Sequence, residues 1–397
     1  MDKKPLSGIR VLDLTQFLSG PFCTLTLADL GAEVIKVERP HMGDSTRTDI
    51  PTKDGTSAMY ISCNRGKKSV VLDLKAPAHK ELFLRLAAEC DVVVENFKPG
   101  TMQRLGLSYE TLREIRPDLI YLAISGYGQT GPYRSRGALD IAIQAMSGFM
   151  SITGEKDGKP IKSGASLADV VAGLYGVISV LSAVIWRGQT GKGQYIDVSM
   201  LDAMVGSVMQ NAIGRYSLSG VVPHPQGNRH PASAPFQEFS TRDGSLVVCC
   251  PTNAQFKSLM EGLGHLEVYE DPMFHDTEER YANKNALSDV LSPIIAEWST
   301  QEMAEMMEKR GLSFGEINTV DAVAKNVQLQ ARDMIIEVEE AHAGRFTTAG
   351  FPVKMECAPT QKLYRAPALG EDTESVLRDL LEMGQEQIDE LYMAYRD

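Results

Sequence analysis

Asp169 stands where a reactive carboxylate could. It closes the run Gly164-Ala-Ser-Leu-Ala-Asp169 and precedes an apolar stretch, Val170 to Trp186, with a helical pattern. An aspartate at a helix start is stabilised by backbone amides and the helix dipole. Ser166, three residues earlier, can share that capping role. The position therefore reads as a helix-start residue or as a nucleophile, and the two roles are compatible. An ordinary aspartate titrates near ~3.9 and is ionised at neutral pH. Ionised, it can attack an activated carbonyl and form a covalent intermediate.

Other chemistries lack their residues. The first strand-like run is followed by Thr15-Gln16-Phe17-Leu18-Ser19-Gly20-Pro21. A dinucleotide fingerprint needs several glycines there, and Phe17 and Leu18 fill positions where backbone must approach a pyrophosphate. Glu38 ends the second strand as a ribose-binding acid would, but alone it reads as a solvated strand end. No P-loop, H-E-x-x-H or G-x-S-x-G occurs. Cys23, Cys63, Cys90, Cys249, Cys250 and Cys357 are scattered without a C-x-x-C pair, so neither a disulfide framework nor a zinc site is indicated. A formal charge of -12 argues against a general nucleic-acid binder. The N-terminus lacks the long apolar stretch of a signal peptide, and the Val170–Trp186 run, broken by Gly173 and Gly176, reads as a buried core helix. A cytoplasmic enzyme, with no membrane partner, is expected.

The elements that must position Asp169 alternate. Short strands are expected at Ile9 to Leu14, Glu33 to Glu38, Ser69 to Leu74, Asp91 to Glu95, Leu119 to Ile124 and Tyr195 to Ser199, with helical patterns between most of them. The rhythm predicts an α/β fold with a mainly parallel sheet, whose ligands sit outside the carboxyl ends of the strands. A Pro-, Gly- and His-rich loop at Ser219 to Pro235 marks a boundary. Residues 225–325 are expected to form a smaller α+β domain, and residues 1–224 with 326–397 a large one.

Several stretches together resemble the class III CoA-transferases, the carnitine dehydratase / bile-acid-inducible protein F family. They are Leu6-Ser-Gly-Ile-Arg-Val-Leu-Asp13, Gly31-Ala-Glu-Val-Ile-Lys-Val-Glu38, Glu95-Asn-Phe-Lys-Pro-Gly100 with Arg104, Gly126-Tyr-Gly-Gln-Thr-Gly-Pro132, the Asp169 run and Gly191-Lys-Gly-Gln-Tyr-Ile-Asp-Val-Ser199. Arg229-His-Pro231, Asp271-Pro-Met-Phe274, Arg280-Tyr-Ala-Asn283 and Ala366-Pro-Ala-Leu-Gly370 extend it over nearly the whole chain. The resemblance implies a homodimer of two interlocked rings. It also implies a Rossmann-like large domain built from both chain ends.

The resemblance carries a catalytic aspartate onto Asp169, with acyl-CoA and small carboxylic acids as substrates. It implies no tightly bound cofactor, coenzyme A entering as a thioester. Asp169 would form a mixed anhydride and then an aspartyl-CoA thioester. By family position Arg39, Leu72, Lys75, Asn96, Phe97 and Arg104 match CoA contacts. Arg39 and Arg104 would meet phosphates, Leu72 to Lys75 would frame the adenine, and Arg134 and Arg136 are further phosphate candidates. Lys67 and Lys68 are expected at the surface. Gln16-Phe17-Leu18 should face the thioester. Leu18, where some relatives carry glutamine, suggests a different or more apolar acyl group. Thr252-Asn253-Ala254 stands where some relatives have a shielding glycine run. Arg229 and His230 read as meeting an acceptor carboxylate or, on local grounds, as structuring their loop. The alternatives are an α-methylacyl-CoA racemase-like enzyme and a non-catalytic CoA-binding protein. Racemases carry a His-Asp pair where this chain has Leu139-Asp140.

Overall fold

The computed structural model describes residues 4–341, 343–356 and 365–392, so Cys357 lies outside the described residues. The expected alternation forms one six-stranded sheet in which all neighbours run parallel. Its strands are β1 (Arg10–Asp13), β2 (Glu33–Glu38), β3 (Lys68–Val71), β4 (Val92–Glu95), β5 (Ile120–Ser125) and β6 (Gln194–Ser199). The spatial order is β3-β2-β1-β4-β5-β6. The chain runs outward from β1 to β3, then returns to place β4 on the other side of β1. Connections leaving β1 and β4 diverge, which opens a crevice at their carboxyl ends.

The helices used below are α1 (Ser19–Asp29), α2 (Ala58–Asn64), α3 (Pro77–Ala88), α4 (Asp140–Met146), α5 (Leu167–Thr190) and α6 (Met200–Ser207). Alternate residues of each inner strand face opposite layers. Val92 and Val94 pack with α1 and α5, while Val93 packs with α3 and the closing helix Thr373–Leu381. With both faces covered, the inner strands read as continuous apolar runs, as parallel strands do. The tail covers the β3 edge: Val71 N–H donates to Thr373 Oγ1 at 3.1 Å, Ser69 N–H to Asp372 Oδ2 at 2.9 Å, and Tyr392 O–H to the Val71 carbonyl at 2.6 Å. An edge so occupied cannot pair with another chain.

Three expectations change. α5 is not buried all round: Ala172, Gly173, Gly176, Val177, Val180 and Ala183 face the core, but Leu174, Ile178, Ile185 and Trp186 are exposed. Glu38 is no solvated strand end. It is buried and receives Arg47 (2.6 Å) and the Ser69 hydroxyl (2.6 Å). Lys67 is not at the surface. Its ammonium is fully buried against Asp13 (3.0 Å), Thr24 (2.8 Å) and Asn64 (2.9 Å). Charged types rarely go inside without partners, and Asp13 and Thr24 lie 54 and 43 positions away, too far for a local pattern to reveal.

Compactness divides the chain into two units, Met1–Phe149 with Lys162–Val221 and Val327–Asp397, and Met150–Ile161 with Val222–Asn326. Residues 150–161 thus group with the smaller unit rather than with the large domain expected for them. The segment folds back on itself (Ile161 N–H to the Thr153 carbonyl, 3.0 Å), and its Gly154 carbonyl accepts from Gly227 (3.0 Å). In the smaller unit β7 (Phe236–Ser240), β8 (Ser245–Cys249) and β9 (Ser313–Glu316) form an antiparallel sheet beside helices. Arg280 is buried there and donates to the carbonyls of Ala234, Phe274 and Pro251. Arg229 bonds Asn285 (2.8 Å) and Ser288 (3.2 Å), and His230 stacks on Phe236, which fits the loop-structuring reading. Thr252 caps the helix Asn253–Leu263 through a reciprocal bond with Gln255.

Candidate active site

A cavity of about 640 Å³ opens at the carboxyl ends of β1, β4 and β5. Asp169 lines it, with Gln16 to Ser19 after β1, Asn96 to Pro99 after β4, and Ser125 and Gly126 at the end of β5. Met59, Leu139, Ile141 and Met200 add apolar wall. Lys98, Arg134, Arg136 and Lys162 add cationic wall, and none of the four is in an ion pair among the described residues. Arg136 instead lies over the Tyr133 ring, 3.6 Å from its centroid.

Asp169 is the third residue of α5. Ser166 flanks the helix but makes no capping bond with its side chain. The cap is Asp140, from α4: its Oδ1 accepts from the amides of Ala168 (2.8 Å) and Asp169 (3.4 Å). Asp140 Oδ2 accepts from Gln144 (2.6 Å), and buried Gln144 accepts from the Ser163 amide (2.8 Å). The loop before α5 is therefore tied to α4, which fixes where the helix begins. Sequence reading considered Asp140 only as half of a racemase pair; a capping residue 28 positions upstream leaves no local signature.

The Asp169 carboxylate lies beside the first turn of α1, where the Ser19 hydroxyl and amide favour its ionised form. Two glycines let the helices approach this closely. A Cβ at Gly173 would lie 2.8 Å from the Ser19 carbonyl oxygen, and one at Gly176 would lie 2.9 Å from Cys23 Sγ. Burial is the main influence on the carboxyl and raises its pKa; the Asp140 charge adds to this, and Ser19 offsets part, leaving it at about 6. The group is still mostly ionised at neutral pH but costs more to ionise than an ordinary aspartate.

The turn before Ser19 is held at successive backbone positions. Asp13 Oδ1 accepts from the Thr15 amide (2.8 Å), and Lys36 donates to the Thr15 carbonyl (2.6 Å). Asn96 accepts from the Gln16 amide (2.9 Å) and donates to the Gln16 carbonyl (2.7 Å). Phe17 sits at φ 64, a left-handed conformation uncommon for a bulky residue. Burial would raise the Asp13 pKa, but the ammoniums of Lys67 and Lys36 with the Thr15 and Thr24 bonds hold it at about 2. Beside Asn96, burial pushes Glu95 up to about 7, although it accepts from the Phe97 amide (2.7 Å) and the Tyr121 hydroxyl (3.4 Å).

Of the sequence-predicted residues, Asp169, Asn96 and Phe97 line this cavity; Arg39, Leu72, Lys75 and Arg104 do not. Leu72 is buried in the core and its amide donates to the Glu38 carbonyl (2.8 Å), so it offers no surface to frame an adenine. Lys75 and Arg104 are exposed, Arg104 donating to Thr101 Oγ1 (2.8 Å). Arg39 is exposed and bonds the Gly43 carbonyl (2.9 Å) and Ser45 Oγ (3.0 Å), whose hydroxyl donates to Gln16 (3.2 Å). Lys98 and Lys162, which sequence reading did not single out, stand in the wall.

Residues 6–373 match the model of CoA-transferase family III. The chain is 38% identical over 385 residues to succinate–glutarate CoA-transferase of Agrobacterium fabrum, covering 95% of this chain and 96% of that protein. It is 40% identical over 354 residues to acetyl-CoA:oxalate CoA-transferase of Acetobacter aceti, covering 89% and 90%. Its fold is similar to the crystal structure of a CAIB/BAIF family protein from Brucella suis, with TM-score 0.86, 40% identity, and coverage of 95% and 99%.

Proposed function

The chain belongs to CoA-transferase family III and is a CoA-transferase, and from that premise we propose that it moves CoA between carboxylic acids through covalent intermediates on Asp169. The observation that carries this reading is the Asp169 carboxylate itself, which lines the cavity and is raised to about 6 by burial and Asp140. An ionised carboxylate there attacks the thioester carbonyl; the C–S bond breaks, CoA leaves as the thiolate, and an aspartyl mixed anhydride remains. The thiolate then attacks the aspartyl carbonyl, the donor acid leaves as a carboxylate, and an aspartyl-CoA thioester results. A second carboxylate repeats these steps in reverse. One thioester replaces another, and no net proton is taken up.

Relatives named for succinate, glutarate and oxalate support short dicarboxylic acids as donor and acceptor. Lys98, Arg134, Arg136 and Lys162, which form no ion pair among the described residues, suit the phosphates of CoA and the second carboxylate of such an acid. Asn96 and Phe97 contact CoA within the cavity, while the exposed Arg39, Lys75 and Arg104 extend its path beyond it. No histidine lines the cavity among the described residues, which gives no support to α-proton exchange as in a racemase. The strand order supports a Rossmann-like large domain. The exposed Leu174, Ile178, Ile185 and Trp186 support an interlocked homodimer, in which a second copy covers them. The enzyme works in the cytoplasm. The test is CoA exchange from succinyl-CoA and acetyl-CoA to a panel of mono- and dicarboxylates, followed by chromatography. Asp169→Ala should abolish exchange; exchange at the wild-type rate in that variant sinks the proposal.

A further inference from the structure

Fully buried Lys36 and Asp44 form an ion pair of 2.8 Å beneath the wall of the cavity. Lys36 projects from β2, and its ammonium reaches the Thr15 carbonyl at 2.6 Å. Asp44 Oδ1 accepts from the Phe17 amide at 3.3 Å and from the amide and hydroxyl of Thr46, both at 2.9 Å. Among the described residues its Oδ2 has no partner besides Lys36. The Asp44 amide is held in turn by Glu38 (2.8 Å). Together the two charges grip Thr15 and Phe17, and between them Asn96 grips Gln16.

Phe17 is more than half exposed and holds a left-handed backbone, so its own side chain gives little reason for that conformation. Strain of this kind persists where surroundings over-determine it, and it collects at active sites. Two residues on, Ser19 meets Asp169 with its hydroxyl and amide. A buried ion pair is a weak source of stability, and in some proteins such a pair instead fixes one conformation.

We infer that the buried Lys36–Asp44 pair is a positioning device that fixes the turn Thr15 to Ser19, so that Ser19 is held against the reacting carboxylate of Asp169. Neither residue touches substrate; both act through the turn. The inference rests on Asp169 as the reacting group. A small displacement of Ser19 weakens its support of the ionised Asp169 carboxylate, and misplacement of about 1 Å at a reacting centre costs about 100-fold in rate.

The test deletes the pair together, Lys36→Met/Asp44→Ala, so that no lone charge is left inside. It also adds Phe17→Gly, which holds positive φ without strain. We expect kcat in the pair-deleted variant to fall at least about ten-fold. Because Ser19 favours the ionised carboxylate, its displacement moves the acid limb of kcat/KM to higher pH. Ser19→Ala moves the limb the same way, and adding it to the pair deletion has little further effect. The cost of the pair deletion in thermal stability is smaller when residue 17 is glycine. If the pair deletion unfolds the protein and Phe17→Gly restores folding, the inference stands. Unchanged kcat and acid limb, independent effects of Ser19→Ala and the pair deletion, or unfolding that Phe17→Gly does not relieve would each overturn it. Loss of the Asp169 reading shows separately, as wild-type exchange in Asp169→Ala, while the stability coupling between position 17 and the pair still reports on the turn.

Discussion

Replacing Asp169 by asparagine should make the folded protein more stable at neutral pH while removing its chemistry. The carboxyl is raised to about 6 because burial and the Asp140 charge disfavour ionisation, with Ser19 offsetting part of this. In the unfolded chain the same group titrates near ~3.9. Below ~4 the proton is bound in both states, and the residue leaves stability untouched. Between ~4 and ~6 the unfolded chain ionises first, so the native state loses ground as pH rises. Above ~6 both states are ionised and the penalty is constant. A tenfold difference in proton affinity is worth ~1.4 kcal/mol, which sets the full penalty at about 3 kcal/mol at most. Asparagine keeps the shape and never ionises. Asp169→Asn should therefore gain up to about 3 kcal/mol at pH 7.5 and little at pH 4. Paired thermal or urea unfolding curves at the two pH values measure this. A variant no more stable than wild type at pH 7.5, or a gain of equal size at both values, would refute the reasoning.

The activity of the wild-type enzyme should fall about ten-fold between pH 7 and pH 5, as expected for a carboxylate nucleophile titrating near 6. Asp140→Asn retains an oxygen to cap α5 but removes the neighbouring charge, so the acid limb of the pH–rate profile should move to lower pH. Gly173→Ala puts a Cβ 2.8 Å from the Ser19 carbonyl and should push α1 from α5. Thermal unfolding should show a loss of about 1–3 kcal/mol from overpacking, and CoA exchange should fall with it. Ile178→Asp with Ile185→Asp places charges on the exposed stripe of α5, and light scattering should show a smaller assembly than wild type.

The layout of the sheet was legible because its strands are apolar runs of strand length, separated by helical patterns. Glu33 to Glu38 was bounded correctly from sequence, and the others came within a few residues. Asp169 was legible for two reasons: it sits at a helix start, and its neighbours carry a family pattern. The machinery around it was not. Asp140 caps α5 from 28 residues upstream, and Ser19 reaches Asp169 from the start of another helix. Those pairings are set by the crossing of α1 and α5, which depends on Gly173 and Gly176. Sequence reading saw the glycines only as interruptions. Lys67 and Glu38 were misread for a related reason. A charged residue looks solvated unless its partner is known, and Asp13 and Arg47 stand 54 and 9 positions away. The exposed stripe of α5 was missed because an almost unbroken apolar run carries no polar marker of its outer face.

The central claim is that Asp169 becomes covalently acylated. Its most direct test is to incubate the enzyme with succinyl-CoA, quench with hydroxylamine and map the peptides by mass spectrometry. The account predicts a hydroxamate on Asp169 that requires the CoA donor. An unmodified Asp169 in an enzyme that still exchanges CoA, or a donor-dependent hydroxamate on a different carboxylate, would contradict it.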